Sequence, residues 1–188
     1  KETKRREEAP RAVSSLPLWG ICFFSKKLGS CSLYSFPMGL KFEKFLPEGR
    51  CTHSSLLRNS SKRYFACVYG GANERIASQH KEKIEELGRL IAANGFSLVY
   101  GAGATGCMGA VARGVKENGG FVMGISPDFI SEFEDIFDCD NKVMVDTMAE
   151  RKTLMEKHAD VFFIAPGGIG TMDEFFQVLT LKYLRRID

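Results

Sequence analysis

The chain has 188 residues, 44% of them hydrophobic and 26% charged, with a net charge of +3. That length holds one full domain, or one domain with a tail, and the composition is that of an ordinary globular chain. The small net charge makes no case for nucleic acid as a partner, and no apolar run approaches the ~18 residues that a membrane-spanning helix needs. The cysteines at 22, 31, 51, 67, 107 and 139 form no C-x-x-C pair and no Cys/His cluster. That pattern predicts no metal site and reduced thiols in a cytoplasmic setting.

The charge is unevenly spread. Residues 1–63 hold 13 Lys/Arg against 5 Asp/Glu, a net of +8, whereas residues 64–188 carry 13 Lys/Arg against 18 Asp/Glu, a net of −5. Residues 1–62 include ten serines and show no sustained helical or strand periodicity. They read as a poorly structured basic leader before a folded domain over 63–188. The Arg and Ser content fits an organelle transit peptide, but Glu2, Glu7 and Glu8 depart from its acid-poor pattern and favour a plain extension. The first residue is Lys1 rather than Met, as expected of a fragment or a misplaced start.

From Arg63 onward strands and helices alternate. Residues 64–69 (Y-F-A-C-V-Y) are an apolar run that stops at Gly70-Gly71, as a buried strand does on entering a turn. Residues 74–94 place Ile76, Ala77, Ile84, Leu87, Leu90 and Ile91 largely at helical spacing, and Gly95 supplies the stop. Strands are then predicted over 97–100, 121–125, 142–145 and 161–165, with helices over 106–118, 147–158 and 170 to about 184. Strands apolar throughout, alternating with amphipathic helices, predict a doubly wound, Rossmann-like α/β domain with a parallel sheet.

Three strand ends on one edge carry glycine clusters: Gly70-Gly71; Gly101 and Gly103 with Gly106; and Gly167-Gly168 with Gly170. Glycine permits positive φ and close backbone approach, and helix N-termini offer free N–H groups to an anion. Tight strand-to-helix turns use glycine for their own sake, yet three on the ligand-binding edge point to a phosphate-bearing ligand. Gly101, Gly103 and Gly106 also spell G-x-G-x-x-G, and Asp128 lies where a ribose-binding acid is wanted. A nicotinamide-dependent oxidoreductase is therefore the alternative. Against it, the motif follows the second strand of the domain, Pro127 precedes Asp128, and no hydride-transfer partner is evident.

The denser pattern is A-P-G-G-I-G-T-M-D-E over 165–174. Its glycines form an anion nest, and Thr171 adds a hydroxyl at the helix start. The dipole favours Glu174 on the first helical turn, but its charge would repel a phosphate, so it should face another part of the ligand. Upstream, Arg151 and Lys152 diverge by ~100° around their helix and need not touch the same group.

The stretch P-G-G-I-G-T-M-D-E, with E-R-K before it and L-V-Y-G-A-G-A-T-G-C-M-G-A-V-A earlier, resembles the Lonely Guy (LOG) family, whose members often carry the label possible lysine decarboxylase. The resemblance runs from about Arg63 to the C-terminus. It implies a cytokinin-type nucleoside 5′-monophosphate phosphoribohydrolase, which releases free base and ribose 5-phosphate without a metal or redox cofactor and acts as a homodimer. By that resemblance Arg151 and Glu174 are the catalytic pair. Lys152, Gly167, Gly168, Ile169, Gly170, Thr171, Met172 and Asp173 fall on the nucleotide-binding stretch, joined by Gly70, Gly71, Gly101 and Gly103. Glu134 matches an acidic ligand contact and Thr180 a threonine on the last helix. Ala149 stands where the family often has histidine, and 131–145 is one residue longer than in plant members. By the same resemblance the domain is truncated after Asp188, where relatives continue through another strand and terminal helices. A nucleotide-binding sensor without turnover is a third reading, which the intact Arg151/Glu174 pair disfavours.

Bond cleavage at the ribose builds oxocarbenium-like charge. Glu174 is suited to stabilise that charge or to help deprotonate water. Arg151 can hold oxygens by a two-pronged contact, and the glycine loop fixes the phosphate and so orients the sugar. A decarboxylase would want a pyridoxal lysine, and nothing around Lys152 suggests one.

Overall fold

The computed structural model describes residues 63–187 and the backbone of Cys22–Ser25. Its sheet has six strands: β1 (Cys22–Ser25), β2 (Tyr64–Tyr69), β3 (Phe96–Tyr100), β4 (Val122–Pro127), β5 (Asn141–Val145) and β6 (Val161–Ile164). Their order across the sheet is β1-β6-β2-β3-β4-β5. Strands β2 to β6 run parallel, as their continuous apolar runs predict, while β1 pairs antiparallel with β6, Cys22 opposite Ile164. The parallel sheet expected of residues 63–188 is present in β2 to β6, and β1 adds an antiparallel edge strand to it. This strand lies in the segment read as lacking periodicity, where a four-residue strand is too short to show one.

Three helices connect the strands, α1 (Ser78–Ala93), α2 (Gly106–Glu117) and α3 (Met148–His158), and α4 (Ile169–Tyr183) follows β6. Helix α1 starts four residues later than the periodicity of 74–94 suggests. Ile76 closes a turn on Asn73, whose side chain accepts from the Arg75 N–H at 2.8 Å. A short 3-10 helix, Asp128–Glu132, follows β4.

The helices divide between the two faces. Ile84, Leu87 and Ile91 of α1 and Met108, Val111 and Val115 of α2 pack with Ala66, Val68, Leu98 and Tyr100. On the other face Met155 of α3 and Val178 of α4 pack with Cys67, Tyr69, Val99, Ile125 and Phe162. The period-two alternation of each strand sorts its side chains between these layers. Helices α1 and α2 approach closely, since a Cβ on Gly88 would lie 2.4 Å from the Val111 carbonyl oxygen and one on Gly114 2.1 Å from that of Glu85.

Among the described residues no helix is long and apolar enough to cross a membrane.

Candidate active site

The carboxyl ends of β2, β3 and β6 meet at one edge, and three loops interlock there. Gly71 donates its N–H to the Pro166 carbonyl at 3.0 Å and accepts from the Cys107 N–H at 2.9 Å. The Thr105 hydroxyl donates to the Ala72 carbonyl. A side chain on Gly70 would strike Met108 and Ala165, at 2.7 and 2.9 Å, and one on Gly71 would strike Ile76 at 2.8 Å. Both glycines are therefore taken up in joining the loops.

Helix α3 delivers Arg151 and Lys152. Its start is fixed by a capping box. The Thr147 hydroxyl accepts from the Glu150 N–H at 3.2 Å, and the Glu150 carboxylate accepts from the Thr147 N–H at 3.3 Å. Helix α4 delivers Asp173 and Glu174 one turn beyond the glycine loop. The two helices meet through two ion pairs, Arg151 Nη2 to Glu174 Oε1 at 3.2 Å and Lys152 Nζ to Asp173 Oδ2 at 2.8 Å. The adjacent cations thus contact different groups, as their divergence around the helix predicts. Glu174 is buried, its side chain 8% exposed, whereas the Asp173 side chain is 58% exposed.

Burial pushes the Glu174 carboxyl up to about 7; Arg151 and Lys152 draw it down, while Asp173 and Glu134 push it up. Desolvation wins, as expected of a carboxylate with one long ion pair in a largely apolar setting. Cys67 and Tyr69 lie on the same face of the sheet, and burial raises both far above their ordinary values. Among the described residues the Arg151 Nε and the Tyr69 hydroxyl are buried without a hydrogen-bond partner, although the Cys67 thiol is near enough to the hydroxyl to act as a weak one. A second contact between α3 and α4 joins Gln177 Nε2 to Glu156 Oε1 at 2.5 Å.

The loop 166–170 leads into α4. Thr171 is buried, and its hydroxyl occupies the space over Gly167. Gly168 and Gly170 differ from the other glycines of the site in that a Cβ on either would meet nothing within 4 Å. They face open space beside the free N–H groups of the first turn of α4, the arrangement that receives an anion. Ile169 stands between them, 90% exposed, and Met172 is partly exposed.

The remaining predicted residues fall in two places. Glu134 reaches the site because residues 135–137 fold back along the β3 turn. The Ala104 N–H donates to the Asp135 carbonyl at 2.8 Å and the Phe137 N–H to that of Ala102 at 2.8 Å. This sets Glu134 Oε2 3.6 Å from where a Gly103 Cβ would lie. Thr180 is not brought to the pair; it is exposed, and its hydroxyl donates to the Phe176 carbonyl of its own helix at 2.7 Å. Sequence reasoning missed Met148, whose sulfur lies 3.8 Å from Arg151 Nη1. Its helical spacing of three from Arg151 was the available signal.

The family described as possible lysine decarboxylase matches residues 108–188. A curated cytokinin riboside 5′-monophosphate phosphoribohydrolase from Mycobacterium tuberculosis is 42% identical over 110 residues, 56% of this chain and 58% of that protein. Its namesake from Mycobacterium marinum is 39% identical over 127 residues, 65% of each chain. Over its folded part the chain is similar to the Lonely Guy proteins. It spans 58% and 65% of the length of these two LOG relatives. A solved molybdenum cofactor binding protein from Rippkaea orientalis shares the LOG-like fold, with a TM-score of 0.58 at 24% identity over 65% of this chain and 74% of that one.

Proposed function

We propose that this chain hydrolyses the N-glycosidic bond of a nucleoside 5′-monophosphate, giving free base and ribose 5-phosphate. The observation that carries the reading is the part-buried Arg151–Glu174 pair at 3.2 Å, one turn from a glycine loop with two open faces. The phosphate docks on the N–H groups of Gly168 to Thr171, which directs the ribose toward Glu174. The carboxylate stabilises developing charge at C1′ or takes a proton from the attacking water. Arg151 anchors ribose or phosphate oxygens and holds Glu174 in place. Bond hydrolysis needs no redox cofactor. The names of the curated relatives make a cytokinin riboside monophosphate the first substrate to test.

The geometry of the G-x-G-x-x-G stretch weighs against the oxidoreductase alternative. A Cβ on Gly101 would meet Arg151 at 2.1 Å, one on Gly103 would meet Met108 at 3.3 Å, and one on Gly106 the Gly71 carbonyl at 2.6 Å. All three glycines are filled by protein, which leaves little of the close backbone approach that a pyrophosphate uses.

A homodimer and a cytoplasmic setting belong to the same reading. Ile169, Met172, Phe176 and Tyr183 make one stripe along α4, exposed by 90, 37, 58 and 85%, an apolar surface suited to a second copy. Thr180 borders that stripe and would join a site only across such a contact. Cys67, Cys107 and Cys139 are free thiols, as a reducing compartment keeps them.

Chromatography of adenosine and isopentenyladenosine monophosphates after incubation with the protein tests the activity. Free adenine or isopentenyladenine with equimolar ribose 5-phosphate is expected. Tight NAD binding with neither base released would overturn the reading. Light scattering of wild type and of Phe176→Asp tests the dimer, the variant being expected to run as a monomer.

A further inference from the structure

The first glycine of the G-x-G-x-x-G stretch has a neighbour that its motif does not announce. Gly101 follows β3 directly, and the Arg151 guanidinium packs against it, Nη2 foremost. From the position of a Cβ on Gly101, Arg151 Nη2 is 2.1 Å away, Cζ 2.9 Å and Nε 3.3 Å. Real Cβ contacts are not that short, so the arginine occupies the volume of the missing side chain.

The rest of the setting makes this a rigid seat. Ala102 is fully buried with φ 65°, a conformation rare for a residue with a side chain. Its carbonyl accepts from Phe137 at 2.8 Å, and Ala104 donates to Asp135 at 2.8 Å. A Cβ on Gly124 would lie 2.7 Å from the Ala102 methyl, so the next strand also closes on the turn. The turn therefore cannot move aside if Gly101 gains a side chain. Arg151 is held by Glu174 at Nη2 and touched at Nη1 by Met148, while its buried Nε has no hydrogen-bond partner among the described residues. Contact with bare backbone is closest at Nη2, the nitrogen that also donates to Glu174, so the seat and the ion pair act on the same end of the guanidinium.

We propose that Gly101 is a positioning residue, a seat that sets the Arg151 guanidinium at Glu174, and not a phosphate-binding glycine. The inference rests on the hydrolase reading for its consequence in turnover, but the coupling of the two residues is testable without it.

The experiment is a double-mutant cycle with Gly101→Ala, Arg151→Ala and the double variant, read by thermal unfolding, by calorimetric binding of adenosine monophosphate and by base release. A residue acting only through Arg151 has no effect once the guanidinium is gone. In the wild-type background Gly101→Ala should lower kcat by about tenfold to a hundredfold, the scale of a misplaced catalytic group. The acid limb of the pH profile should also move upward, because Glu174 loses its counter-charge. In the Arg151→Ala background the same substitution should change binding and the unfolding midpoint by no more than their experimental error. If Gly101→Ala does not fold, the double variant should, since truncating Arg151 vacates the space that the methyl needs. Equal losses of nucleotide affinity from Gly101→Ala in both backgrounds would return Gly101 to the phosphate site and overturn the proposal, as would failure of both variants to fold. Should the wild type release no base, the hydrolase reading falls while the binding and unfolding cycles still decide the seat.

Discussion

The Thr171 hydroxyl oxygen lies 2.1 Å from the point a Gly167 Cβ would occupy. The first turn of α4 is thus folded back onto its own entry loop, and glycine at 167 is a steric requirement. Gly167→Ala should cost about 1–3 kcal/mol, as overpacking does, measured by denaturant unfolding. Gly168→Ala, with nothing within 4 Å, should unfold within about 0.5 kcal/mol of wild type, the surface norm. It should nonetheless weaken nucleotide binding, because its methyl enters the space left for the ligand. Unfolding curves and calorimetry on the pair separate the two roles.

Glu174→Gln keeps the shape of the side chain and removes its charge. Base release should fall below detection, while adenosine monophosphate binds within a few-fold of wild type, since in the proposed mechanism the carboxylate acts on the ribose and the loop on the phosphate. Retention of near-normal turnover would remove Glu174 from the chemistry.

The pH dependence carries a sign. With the Glu174 carboxyl raised to about 7 by burial, a mechanism that needs the ionised form gives a kcat/KM that climbs from about pH 6 to 8 with a midpoint near that value. A mechanism in which Glu174 donates a proton gives the mirror profile, falling over the same range. Stability should follow the raised value too. Between the ordinary carboxylate range and about 7 the folded state holds a proton that the unfolded state has lost. This contribution is therefore full at low pH and is lost as pH rises through about 7. Melting of wild type against Glu174→Gln, which lacks the titrating group, isolates it.

Tyr69→Phe removes a buried hydroxyl that has no hydrogen-bond partner beyond the nearby Cys67 thiol. A made hydrogen bond contributes about 0.5–1.5 kcal/mol, and an unmade one costs the group its hydration. The variant should therefore unfold at or slightly above the wild-type midpoint in urea. A loss above about 1 kcal/mol would show that the hydroxyl is satisfied by bound water.

The alternation of apolar runs and amphipathic segments made the parallel sheet and its four helices readable in advance, because burial on both faces leaves no polar positions in a strand. Helix boundaries were less so. Ile76 and Ala77 keep helical spacing with Ile84 and Leu87, yet Asn73 captures the Arg75 N–H and holds the chain in a turn. The candidate site was legible where chemistry is local: Arg151 and Glu174 were singled out from their motifs and the fold brings them into contact, whereas which loop glycines keep open space was not. Nor was the Gly101 seat, since its occupant comes from a helix about fifty residues later and the motif letters suit either role. The β1 strand was hidden for another reason, since four residues with no alternation carry no signal beside a sheet edge that only the folded chain supplies.

Glu174 rides on a helix with a thin attachment to the sheet. Within α4 only Thr171, Glu174 and Val178 are buried, and the outward stripe is exposed. Lifting that one segment would remove the carboxylate, the anion loop and the partners of Arg151 and Lys152 together, leaving the other face and its core intact. Heat should therefore disarm the protein before it unfolds it. The amides of α4 should exchange with solvent sooner than those of α2, whose buried run spans nearly its whole length.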